Sequence, residues 1–161
     1  MARALSPRHV SSRRRPAAPA QKALVSLYRA ADRVKGYFEA VLEPHGLTGQ
    51  QYNVLRILRG AEPDGLATLT IADRMIERAP GITRMIDRLE AKGWVARERR
   101  RGDRRCVHCR VTRRGLELLR GLDRPVDEAD RAVFASLTRK ELAQLEGLLD
   151  RVQGRRAISK A

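Results

Sequence analysis

The stretch "ITRMIDRLEAKGWVARERRRGDRRCVHCRVT", residues 82–112, changes character half-way along. Up to Lys92 its apolar residues are Ile82, Met85, Ile86 and Leu89, spaced at the three- and four-residue intervals of one helix face. Gly93 stops that pattern, and Trp94-Val95 opens an extended segment. Residues 95–99 and 105–111 read as two short strands joined at "RRRGD", which makes a β-hairpin crowded with arginine. A helix running straight into a basic hairpin decides the fold.

Immediately upstream, residues 69–77 predict a helix with Leu69, Ala72, Met75 and Ile76 inward and Thr68 as its cap. The helix of the quoted stretch is expected over 80–92, with Pro80 at its first position, where a missing N–H costs nothing, and Ala79 as a poor N-cap. Further back, "GAEPDG" at 60–65 is a loop, and Thr48 with Gln51 forms a capping box for a short helix bearing Tyr52, Leu55 and Leu58 on one face. From Gln21 the apolar residues Leu24, Leu27/Tyr28, Ala31, Val34, Phe38 and Val41/Leu42 mark an amphipathic helix ended by Pro44 and Gly46.

Downstream, Thr112 caps a long helix with Leu119, Leu122, Val126, Ala129 and Val133 on one seam, which Pro125 is expected to bend or interrupt. Thr138 and Glu141 form a second capping box, followed by Leu142, Leu145, Leu148/Leu149 and Val152. The fold class is therefore mainly α with a small β-hairpin wing. A winged helix-turn-helix at 47–114 is flanked by an N-terminal helix at 21–46 and C-terminal helices at 115–154. The flanking seams are too long for so small a module to cover, so their simplest partner is a second copy, a homodimer. Residues 1–20 read as a disordered basic tail and 155–161 as a frayed basic end.

The chain has 161 residues and a net charge of +15. That excess suits a polyanionic partner far better than a neutral substrate, although arginine-rich solvated surface is the plainer account of the charge alone. No apolar run approaches the roughly 20 residues of a membrane span, and no export signal follows the N-terminal arginines. With two cysteines and no disulfide framework, a cytoplasmic protein is expected.

"LTGQQYNVLRIL", "ITRMIDRLEAKGWVARERRRGDRR" and "VTRRG" resemble the MarR family of bacterial transcriptional regulators over roughly residues 21–153. The strongest markers are Thr83-Arg84, Asp87-Arg88-Leu89-Glu90, Lys92-Gly93, Asp103-Arg104-Arg105 and Val111-Thr112 with Gly115. The resemblance implies a dimer with interlocked terminal helices, binding to double-stranded DNA at a pseudo-palindromic operator, most often repression, and release by a small-molecule effector or an oxidant. It also implies a ligand cleft near Tyr37, His45 and Tyr52, which read more simply as core residues. The chain departs from the family in "MIERAPG", the turn before the recognition helix, and in a Cys-x-x-Cys within an unusually arginine-rich wing.

On the recognition helix, the side opposite Ile82, Ile86 and Leu89 presents Gly81, Arg84, Asp87 and Arg88, with Thr83 at the border. Arg84 lies in the first turn, the end that reaches base edges, and arginine can grip guanine bidentately. In the wing, Arg100, Arg101, Arg104 and Arg105 around Gly102 are candidate DNA contacts, because like charges this close call for an intervening anion. Asp103, by the resemblance, aims a neighbouring arginine through a charge-assisted pair. The plain alternative is that Arg84 and Arg88 are solvated neighbours.

Strand alternation puts Val107, Cys109 and Val111 on the inward face and Cys106, His108 and Arg110 on the outward one. The two cysteines then lie about 10 Å apart on opposite faces and cannot pair. One Cys-x-x-Cys and a lone histidine fall short of a structural zinc site, so no metal and no cofactor is expected. Cys109 reads as core filler, and Cys106 as a candidate redox-sensing thiol among arginines. No nucleophile–histidine pair, phosphate-cradling glycine loop or scaffolded carboxylate pair suggests an enzyme. An architectural, weakly specific DNA binder remains the principal alternative. A winged helix for RNA is disfavoured by the scarcity of aromatics for stacking.

Overall fold

The computed structural model describes residues 18–77, 80–99 and 107–154. Among these residues are six α-helices and three strands: α1 (Pro19–Leu42), α2 (Gly49–Arg59), β1 (Leu66–Ala67), α3 (Thr68–Arg74), α4 (Ile82–Ala91), β2 (Val95–Arg99), β3 (Val107–Val111), α5 (Arg113–Val133) and α6 (Arg139–Val152), with the helices and the hairpin in the expected order. The chain divides into two compact units, 1–33 and 34–161, with the boundary inside α1. In the first unit every described residue of α1 is exposed, including Leu24, Val25, Leu27 and Tyr28. No helix among the described residues is long and apolar enough to cross a membrane.

The second unit has one core. Leu42 at the end of α1, Val54, Leu55 and Leu58 of α2, Ile71 of α3, Ile86 and Leu89 of α4, and Leu119 and Leu122 of α5 are all fully buried in it. The starts of α2, α5 and α6 are fixed by side chains, as their sequences require. Thr48 accepts from the Gln51 backbone N–H at 3.2 Å while Gln51 Oε1 accepts from Thr48 N at 3.2 Å, and Thr112 Oγ1 accepts from Gly115 N at 3.1 Å. Thr138 and Glu141 form the second capping box. A 3-10 turn at Glu43–His45 and Gly46, with φ of 65°, reverse the chain after α1. Lys92 ties that turn to the end of α4, its ammonium donating to the Gly46 carbonyl at 2.6 Å and lying 4.7 Å from the Trp94 ring centre.

Several expectations need correction. Leu69 and Ile76 are 77% and 86% exposed, and the residue of α3 that enters the core is Ile71. The helix ends at Arg74 rather than Glu77, and its N-cap is Ala67 with no side-chain bond, so Thr68 is inside the first turn. Pro80 is not the first residue of α4; Gly81 is its N-cap. Of the two outcomes expected at Pro125, interruption does not occur: α5 continues as one helix from Arg113 to Val133. Near a helix end, phase and cap are decided by which residues the neighbours can cover, and a two-turn helix gives too short a pattern to fix either.

The hairpin strands pair antiparallel, with Val95 opposite Val111, Arg97 opposite Cys109 and Arg99 opposite Val107. A further strand was not expected: β1 adds to the other edge of β3 through Leu66 opposite Cys109 and Ala67 opposite His108, giving the order β1-β3-β2. Cys109 is fully buried, 3.7 Å from Thr68 Oγ1, and fills the core as anticipated. Val107, expected inward, is 39% exposed. It lies beyond the two residues that β1 covers, so only β2 flanks it.

Candidate nucleic-acid interface

Helix α4 is held by its apolar side and by the turn that leads into it. Ile82, Ile86 and Leu89 are buried, while Gly81, Thr83, Arg84, Asp87 and Arg88 are exposed. Before the helix, Asn53 Oδ1 of α2 accepts from the Ile76 backbone N–H at 3.0 Å, and Gln50 donates to Glu77 at 3.3 Å. These bonds tie the turn before α4 to α2. Gly81 has a φ of 94°, a left-handed conformation that disfavours any side chain although nothing lies within 4 Å of where a Cβ would sit. Among the described residues no side chain caps the start of α4. The start of the helix therefore offers backbone donors and the positive end of its dipole on an exposed face.

Five of the described arginines are held by carboxylates. Arg59 bonds Asp123 at 2.8 Å, Arg110 bonds Glu98 at 3.1 Å and approaches Glu62 at 3.5 Å, and Arg113 and Arg124 pair with glutamates four residues on. Arg97 of β2 reaches back to α4, its guanidinium 2.6 Å from Asp87 Oδ1 and 2.5 Å from Glu90 Oε2, while its backbone N–H donates to Glu90 Oε1 at 3.3 Å. The Asp87 hydrogen bond, ahead of the charge of Glu90, raises its pKa above the usual arginine value and opposes the effect of burial. Arg84 and Arg88, in contrast, have no ion-pair partner among the described residues and project from the exposed face. Two guanidinium groups four residues apart on a helix are neighbours, so that face is a concentrated positive surface.

The model of the MarR family matches residues 47–107, which run from the start of α2 into β3. A MarR transcription factor from Planctomyces limnophilus, known from its crystal structure, is 41% identical, covers 84% of this chain and 98% of its own, and superposes with a TM-score of 0.65. The chain belongs to the MarR family. The homoprotocatechuate degradative operon repressor of Escherichia coli is 29% identical over 126 residues, 78% of this chain and 84% of that protein. A mutant E. coli MarR, crystallised in complex with operator DNA, is 26% identical with a TM-score of 0.74, over 81% of this chain and 93% of its own. This MarR-family chain is a DNA-binding transcriptional regulator.

Of the residues singled out in this MarR-family sequence, Gly81, Thr83, Arg84 and Arg88 fall together on the exposed start and side of α4. Arg100, Arg101, Asp103, Arg104, Arg105 and Cys106 lie outside the described residues. Tyr52 is buried and accepts from Arg56 at 2.9 Å, in keeping with a core position, and His45 is exposed in the 3-10 turn. Sequence reasoning missed Arg97 and the part played by Glu90. The signal was present: acids three apart on α4, then a glycine reversal at Gly93 that returns the chain alongside them.

Proposed function

We propose that the protein is a homodimeric, sequence-specific repressor that binds a pseudo-palindromic operator. α4 enters the major groove, where Arg84 reads a guanine, Thr83 contacts a base or phosphate, and Arg88 and the uncapped backbone at Gly81 hold the phosphate backbone. Arg100, Arg101, Arg104 and Arg105 serve the minor groove, with Asp103 aiming one of them. Residues 47–114 form the reading module, and 21–46 and 115–154 supply the dimer contacts. The protein works in the cytoplasm, and a small ligand or an oxidant releases it from DNA.

The observation that carries this reading is the exposed pair Arg84 and Arg88 on α4, which have no ion-pair partner among the described residues and lie on the side of the helix opposite the buried Ile82, Ile86 and Leu89. The likeness to an E. coli MarR complexed with operator DNA supports the docking mode, and the name of the operon repressor supports repression. The test is a gel shift on a bound site mapped from the genome. Arg84→Ala and Arg105→Ala should each abolish the shift while the oligomer stays intact. Parent-like binding by both variants would show that the surface is misassigned.

A further inference from the structure

We infer that Arg97 is a positioning residue for DNA reading, a clamp that fixes the recognition helix α4 at one angle to the wing strand β2. The inference rests on the reading of α4 and the wing as the two DNA-contacting surfaces.

The connection between those surfaces is short and is pinned to the end of α4, the Gly93 N–H donating to the Glu90 carbonyl at 2.8 Å and the Trp94 N–H to the Leu89 carbonyl at 3.0 Å. It consists of residues 92–94, in which Gly93 takes a φ of 72°. Those bonds hold the turn itself and stop at Trp94, one residue before β2. Arg97 closes the angle from the other side. It stands opposite Cys109 in the β2–β3 register, and directly paired residues share a face, so its stem leaves from the core side of the sheet. From there the guanidinium meets Asp87 at 2.6 Å and Glu90 at 2.5 Å, with the side chain only 26% exposed. Asp87 and Glu90 sit three residues apart on one flank of α4, and each takes a different end of the same planar fork. The Arg97 backbone N–H adds a third bond, to the second oxygen of Glu90 at 3.3 Å. A rigid fork bonded to two fixed points, with its own backbone bonded to one of them, permits little rotation between helix and strand.

The charges provide a second argument. Asp87 shares the exposed side of α4 with Arg84 and Arg88, where a carboxylate opposes phosphate. Removing Asp87 and Glu90 makes the protein more positive, so electrostatics alone predicts tighter binding to any DNA. Positioning predicts the opposite for the operator, because base contacts require the helix and wing to be in register together. The two effects differ in sign.

The experiment measures affinity for the operator and for a scrambled duplex at one salt concentration, using the full chain, together with melting temperature and oligomeric state. Arg97→Gln should lower the operator-to-scrambled ratio at least about tenfold, the scale of one lost base contact. Asp87→Asn combined with Glu90→Gln should weaken operator binding while tightening binding to the scrambled duplex. The three substitutions together should cost no more than Arg97→Gln alone, as expected of residues acting through one contact. Arg97→Lys, a point charge without the fork, should restore only part of the ratio. If Arg97→Gln fails to fold, the two carboxylate substitutions carry the test. A merely stabilising ion pair would lower the melting temperature and leave the ratio unchanged; that result, or a carboxylate variant that binds both duplexes more tightly, overturns the clamp. Arg84→Ala separates the failures. If it binds like the parent, the DNA surface is misassigned and the clamp falls with it; if it loses the operator while the Arg97 variants keep the ratio, the clamp alone falls.

Discussion

A Cβ placed on Gly115 would come 2.4 Å from the Trp94 carbonyl oxygen and 2.8 Å from Val111 Cγ2. The backbone of α5 can approach β2 and β3 this closely only because the side chain is absent. Gly115→Ala should therefore destabilise the fold by about 1–3 kcal/mol, the usual cost of forcing atoms into a filled space. Urea unfolding followed by circular dichroism measures it, and an unchanged midpoint would mean that the backbones separate freely. The need for glycine here could be suspected from the sequence, since Val111-Thr112 and Gly115 are family markers, but the neighbour it accommodates could not. The same holds for the arginines. Arg84 and Arg88 were legible because helical periodicity places them opposite Ile82, Ile86 and Leu89. The partners of Arg59 and Arg110 were not, since Asp123 and Glu62 lie far away in the chain and no periodicity links them.

Among the elements, those with strong end signals were read well. Thr48 and Gln51 satisfy two backbone donors at the start of α2 through bonds of 3.2 Å each. Thr48→Ala should cost about 1 kcal/mol of stability, as typical N-cap losses do, while Thr48→Gly should cost less. Thermal melts of the two variants test this order, and equal losses would argue against a side-chain cap. α3 was read less well because seven residues hold barely two turns. With so few positions, Leu69 and Ile76 fit an apolar seam on paper as well as Ile71 does, and only the packed neighbours decide. β1 spans two residues and has no period to detect. It exists because the chain after the 60–65 loop passes the free edge of β3.

For the whole molecule, the unresolved matter in the sequence was what covers its long seams. Within the second unit α6 has no buried residue, and Leu142, Leu148 and Val152 are exposed along it. A second copy covering them is the proposed answer. Sedimentation equilibrium should give twice the chain mass, and Leu148→Asp should shift the equilibrium toward monomer with its helical signal retained. A monomeric parent would remove the dimer. Salt reports on the bound state: about eight neutralised phosphates imply that operator affinity falls 10³-fold or more between roughly 50 and 200 mM salt.

The junction beneath the wing has a further consequence. Thr112 donates its backbone N–H to the Trp94 carbonyl at 3.0 Å and its hydroxyl to the Gly93 carbonyl at 2.7 Å, three residues before Gly115 seats α5 against the same Trp94 carbonyl. The two wing strands and α5 thus leave from one knot of main chain. A tilt of α5 would carry the strands with it as a lever carries its head. In the proposed dimer, such a tilt would change the distance between the two heads, and the length of operator they fit, while each head keeps its shape.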